Sequence, residues 1–70
     1  MERHPLDSEA LSSVGYDPAL HVLEVEFSSG SVYQYFDVPA HEVEKLLRAP
    51  SRGAYFSDRV RDRYRYEQVH

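Results

Sequence analysis

Apolar and acidic residues alternate strictly along one segment of this chain. Leu23, Val25 and Phe27 point one way and Glu24 and Glu26 the other. A period of two is the signature of a half-buried strand. Ser28-Ser29-Gly30 follows as a turn, and Ser31 to Val38 is a second extended run rich in β-branched and aromatic residues. The two runs predict a hairpin, and its loop length decides where Tyr33 and Tyr35 go. With a two-residue Ser29-Gly30 loop, Phe27 faces Val32 and Glu26 faces Tyr33, so the tyrosines join the glutamates on the solvent side. With a three-residue loop and Gly30 left-handed, Val25 faces Tyr33 and the tyrosines share the core face. The second register is favoured, because a glycine at the third loop position suits a bulge and Ser-Gly is a poor two-residue turn.

The flanking segments are shorter in signal. Leu11 to Tyr16 alternates weakly, with Ser12, Val14 and Tyr16 on one side, and Asp17-Pro18 starts a turn. Pro39 suits a first helical position. Ala40, Val43, Leu46 and Leu47 then recur at helical spacing up to about Arg48, and Pro50 stops the helix by disfavouring helical geometry at Ala49. Ser51 is a candidate N-cap for a second helix, whose buried stripe is Gly53, Phe56, Val60 and Tyr64. The order is β-β-β-α-α: an α+β fold with a three-stranded antiparallel meander followed by two helices packed on one face. Residues 1–10 are expected as a flexible, loosely docked leader, and residues 11–70 as a single domain.

Seventy residues hold one small domain. A chain of this size hides only about 60% of its unfolded surface, and with no cysteine it has no disulfide to compensate. Six tyrosines and three phenylalanines supply the large buried areas instead. No apolar run approaches the roughly 20 residues of a membrane helix. The opening Met1-Glu-Arg-His-Pro-Leu-Asp7 has no signal-like apolar segment, so a cytoplasmic protein without membrane contact is expected. His4, His21, His41 and His70 are scattered and form no ligand pattern, so no metal or other cofactor is expected. There is no nucleophile elbow and no glycine-rich phosphate cradle. Ser51 is explained as a cap, and the Glu24/Glu26 and Glu42/Glu44 pairs as solvated faces. A thin core also predicts no pocket of several hundred Å³. The expectation is a non-enzyme with no small-molecule substrate.

Charge is divided along the chain. Residues 1–45 hold nine acids and two bases; residues 46–70 hold six arginines and three acids. The total of −4 is not that of a strong nucleic-acid binder, yet the basic half has a pattern. On a continuous helix Arg52, Arg59 and Arg63 fall within about 40° of one another, beside Tyr55 and Tyr66. Arginine forks bind phosphate and tyrosine faces stack on bases, so these five are candidate nucleic-acid contacts, with Arg48 and Arg61 secondary. The alternative is a solvated face whose arginines pair with Asp58, Asp62, Glu24 or Glu26.

Several segments carry a resemblance in this order: Ser12-Ser-Val-Gly-Tyr-Asp17; Leu23-Glu-Val-Glu-Phe27 with Gly30; Tyr33-Gln-Tyr35 with Val38-Pro39; Ala49-Pro-Ser-Arg-Gly-Ala-Tyr-Phe56; Val60-Arg61 and Tyr64. Together they resemble the KTSC domain, a short module seen alone in bacteria and at the C-terminus of some lysyl-tRNA synthetases. The resemblance spans about residues 11–69. It departs at Ser57, where asparagine is expected, and at Arg65, where proline is expected. It implies an RNA-binding role and no known active site. Within the shared motif Tyr33, Tyr35, Ser51, Gly53 and Phe56 have structural explanations: Ser51 caps, Gly53 allows close backbone approach, and Phe56 is core. Two functions stand beside each other. One is a module binding tRNA or single-stranded RNA through the basic and aromatic C-terminal helix. The other is a protein-interaction or self-association module using the hairpin edge and exposed aromatics.

Overall fold

A computed structural model describes all 70 residues. Its elements are β1 (His4–Pro5), β2 (Leu11–Asp17), β3 (Val22–Phe27), β4 (Val32–Tyr35), α1 (Ala40–Arg48), α2 (Arg52–Arg59) and β5 (Tyr66–Gln68). The strands form one antiparallel sheet in the order β1-β2-β3-β4-β5. Both helices lie in the connection from β4 to β5. The α+β class and the two helices agree with the sequence reading. The sheet has five strands where three were expected.

The hairpin takes the three-residue loop. Gly30 has φ +96° and donates its N–H to the Phe27 carbonyl at 2.9 Å, while the Phe27 N–H donates to Ser31. Val25 therefore faces Tyr33, and Leu23 faces Tyr35. This register sends Tyr33 and Tyr35 to the helix-bearing face, where Leu23 and Val25 are fully buried. Leu11, Val14, Tyr35, Val38, Val43, Leu46, Phe56 and Val60 complete the core. An irregularity between Leu11 and Ser13 lets Leu11 and Val14 both reach it, although a regular strand would point them oppositely. The other face carries Glu24 and Glu26, each held locally. Arg3 and Gln34 approach Glu24 at 3.5 and 2.9 Å, and the Ser13 hydroxyl donates to Glu26 at 2.9 Å.

Local signals set the helix ends. Pro39 is the N-cap of α1 rather than its first helical residue, with ψ 154°. Ala49 is extended ahead of Pro50, as the proline requires. Ser51 caps α2, its hydroxyl accepting from the Ala54 N–H at 3.2 Å.

Three placements differ from expectation. Residues 4–5 are an edge strand rather than part of a loose leader: His4 pairs with Val14, Pro5 pairs with Ser13, and the Leu6 N–H reaches the Ser12 carbonyl at 2.9 Å. The close backbone approach assigned to Gly53 occurs at Gly15 instead. A Cβ on Gly15 would overlap the Glu2 carbonyl oxygen, whereas one on Gly53 would only touch the Ala10 side chain at 3.4 Å. Third, α2 stops at Arg59 and does not carry Tyr64 and Tyr66. Extending it would set Arg59 beside Arg63 at i,i+4, a mildly repulsive pair. Ending it lets the chain return as β5, with Tyr66 opposite Tyr35.

Candidate nucleic-acid interface

The early end of α2 rearranges the predicted basic face. Arg52 opens the helix, and its guanidinium donates to the Leu47 carbonyl at 3.0 Å, tying the end of α1 to the start of α2. Its Nε is buried without a partner. Arg59 closes α2 and is exposed; Arg61 and Arg63 lie in the following turn, also exposed. The helical alignment of Arg52, Arg59 and Arg63 is therefore broken, and Arg52 serves the helix junction. Arg48 is exposed at the end of α1. Arg65, which the helical reading left out, places its guanidinium 5.1 Å from the Phe36 ring centre, within cation–π range.

The alternative arrangement, in which these arginines pair with Asp58, Asp62, Glu24 or Glu26, is not the one found. The ion pairs of the chain are Arg3–Glu24 at 3.5 Å and His4–Glu2 at 3.9 Å, so none of the six C-terminal arginines is paired with an acid.

The tyrosines divide by depth. Tyr55 is half-buried on α2, near Glu42 of α1. Its phenol is raised above the ordinary value first by burial and then by the Glu42 carboxylate. Tyr64 is raised for the same two reasons. Glu42 is itself only 7% exposed, and its Oε1 has no hydrogen-bond partner. In a helix of this kind a glutamate at the third position can reach back to the N–H of the capping residue, but that residue is Pro39, which has none. Tyr55 is thus packed against the core rather than displayed.

Display falls to Tyr66, with Tyr33 half-buried beside it. Tyr66 is 56% exposed on β5. Its ring centre lies 5.7 Å from that of Tyr33 and 5.6 Å from that of Tyr35. Phe27 extends the cluster, meeting Tyr33 and Phe56 edge-on at 5.4 Å each. Tyr35, 3% exposed, is the buried member, and its phenol is pushed up to about 12 by burial first and by its tyrosine neighbours second. Above this floor is an open cleft of about 560 Å³. The serines of the β3–β4 turn line one rim, and Arg61 and Asp62 line another. The prediction of no such cavity is corrected: the aromatics leave a wide, shallow recess between α2 and the sheet. Its arginine and displayed tyrosine come from the turn and strand that end the chain, which helical periodicity through Val60 and Tyr64 concealed. Tyr66-Glu67-Gln68 is too short to show a strand period, so the sequence carried no signal for this strand.

The hairpin has no free edge, because β3 is paired with β2 and β4 with β5. No three His, Asp or Glu side chains converge as a metal ligand set. No helix is long and apolar enough to cross a membrane.

The family model described as the KTSC domain matches residues 7–64. A protein of Stutzerimonas stutzeri described as uncharacterized is 46% identical over 70 residues, covering 99% of each chain. A lysine–tRNA ligase of Nostoc is 44% identical over 54 residues, which are 77% of this chain and 10% of the ligase. The chain thus matches a small part of that much longer protein. A crystal structure of a KTSC domain protein from Yersinia pestis superposes with a TM-score of 0.96 at 29% identity, covering 99% of this chain and 97% of the other.

Proposed function

The chain belongs to the KTSC domain family, and from that premise we propose that it is a small non-catalytic module that binds unpaired RNA, acting in the cytoplasm. The observation that carries this reading is the pairing of an exposed aromatic, Tyr66, with Arg61 at the rim of one open cleft, among arginines that no carboxylate neutralises. Tyr66 and Tyr33 offer faces on which a base stacks. Arg61 reaches the adjoining phosphate, and Arg59, Arg63 and Arg48 extend the positive surface along the backbone. Arg52 and Tyr55 support the fold beneath that surface. The acidic sheet face, with Glu24 and Glu26, is turned away from the helices, so RNA approaches from the helical side. The presence of a related segment within a lysine–tRNA ligase makes tRNA the first substrate to try.

Titration of a short single-stranded RNA and of a tRNA at low and moderate salt tests this. Binding is expected at low salt and weakens steeply as salt rises, because arginine–phosphate contacts release counterions. Absence of binding at low salt, or binding unchanged by Arg61→Ala together with Tyr66→Ala, overturns the reading.

A further inference from the structure

The sheet has two edges, and they differ. β1 is two residues long and contains Pro5, which has no N–H to offer. β5 has neither proline nor lysine, and all three of its residues are exposed. In an antiparallel ladder alternate residues turn their backbone groups toward the neighbouring strand. The Phe36 N–H donates to the Arg65 carbonyl at 2.9 Å, and the Val69 N–H donates to the Val32 carbonyl at 2.8 Å. Residues 65, 67 and 69 therefore face β4, and Tyr66 and Gln68 turn their N–H and C=O groups outward. Such an edge is a template for another strand.

We propose that β5 pairs antiparallel with β5 of a second copy of this chain, joining two five-stranded sheets about a two-fold axis. The occupant and the register follow from charge. Arg65 and Glu67 lie on the sheet face away from the helices, and Tyr66 lies on the helix-bearing face with Tyr35. When Tyr66 stands opposite Tyr66 of the second copy, Arg65 stands opposite the copy's Glu67, and the axis repeats that pair. Moving the register so that Glu67 faces Glu67 sets like charges against each other. Neither Arg65 nor Glu67 has an ion pair inside its own chain, so both are available for the contact. Three residues of edge fall short of the roughly 800 Å² per partner of a standard stable interface. The dimer is accordingly weak and dependent on protein concentration.

Sedimentation equilibrium and amide exchange on the full chain, from about 10 µM to about 1 mM protein, test this, since a weak dimer populates with protomer concentration. The Tyr66 amide, outward and unbonded in the single chain, is expected to exchange more slowly as concentration rises. Arg65→Glu and Glu67→Arg should each weaken association by about tenfold or more, the effect of roughly 1.4 kcal/mol. The doubly swapped chain, Arg65→Glu with Glu67→Arg, should return to within about threefold of the original, because the opposite-charge pair is rebuilt. Circular dichroism checks that each variant folds. Should Arg65→Glu unfold when its Phe36 stacking is removed, Glu67→Arg and the Tyr66 amide still decide. A strict monomer over the whole range overturns the proposal. So does a dimer that both single swaps leave intact, since its contact would lie elsewhere.

Discussion

The Tyr16 hydroxyl donates a 2.6 Å hydrogen bond to the carbonyl of Val38, 22 residues along the chain. Val38 is fully buried, and its carbonyl sits where the chain leaves the sheet for α1. Asp37 just before it has φ 58°, and the Val38 N–H is taken by the His21 carbonyl at 2.9 Å. Strand β2 thus fixes the point at which the helical layer begins, and the two polar groups of Val38 are both satisfied in the core.

Tyr16→Phe removes that donor and leaves a buried carbonyl unpaired. The expected loss is about 1–3 kcal/mol of stability, read as a lower urea midpoint with an unchanged slope. A midpoint equal to the original would show that the carbonyl finds another partner.

Gly15→Ala forces a Cβ against the Glu2 backbone. The β1 segment must move away, taking with it the Arg3–Glu24 pair. Hydrogen exchange should show faster exchange at the backbone groups joining β1 to β2, with the β3–β4 ladder still protected. The same substitution at Gly53 meets only the Ala10 and Ser8 side chains at 3.4 Å or more, so it should leave β1 protected.

Stability should fall at alkaline pH through Tyr35. Its phenol is raised from 10.0 to about 12 in the folded chain, so the folded state holds the proton more tightly than the unfolded state. The contribution is fully present below pH 10 and is lost as pH rises from about 10 to about 12, a change of at most about 3 kcal/mol. Tyr35→Phe should remove the largest part of this alkaline loss, leaving the part owed to the raised phenols of Tyr16, Tyr55 and Tyr64, while keeping most of the packing against Phe56.

RNA affinity should separate charge from stacking. Removing Arg59 and Arg63 should lower the slope of log K against log salt by about 0.7 for each single-strand phosphate that is no longer neutralised. Tyr66→Ala should weaken binding by about 1–3 kcal/mol with the slope unchanged. Filter binding at several salt concentrations distinguishes the two effects. A slope that ignores both arginines would place the RNA away from the turn after α2.

Some of this architecture is legible residue by residue. Alternation through Leu23, Val25 and Phe27, with a glycine at the third turn position, determined the hairpin and its register, because side-chain direction in a strand has a period of two. Pro39, Pro50 and Ser51 marked where helices begin and stop through the backbone geometry and capping that each residue imposes. The motif shared across Tyr33-Gln-Tyr35, Val38-Pro39 and Ser51 to Phe56 was enough to identify the family. The candidate site was legible in part: Arg61 and Tyr66 were marked, but on a helix that does not extend to them. Tertiary structure decided the rest. β1 and β5 are two and three residues long, too short to carry a period of their own, and they become strands only because β2 and β4 offer unpaired backbone groups. The end of α2 was decided in the same way, by the gain from setting Tyr66 on Tyr35 and completing the ladder from β4. That one long-range pairing turned a predicted helical stripe of arginines into an aromatic cleft with a basic rim and an open edge beside it.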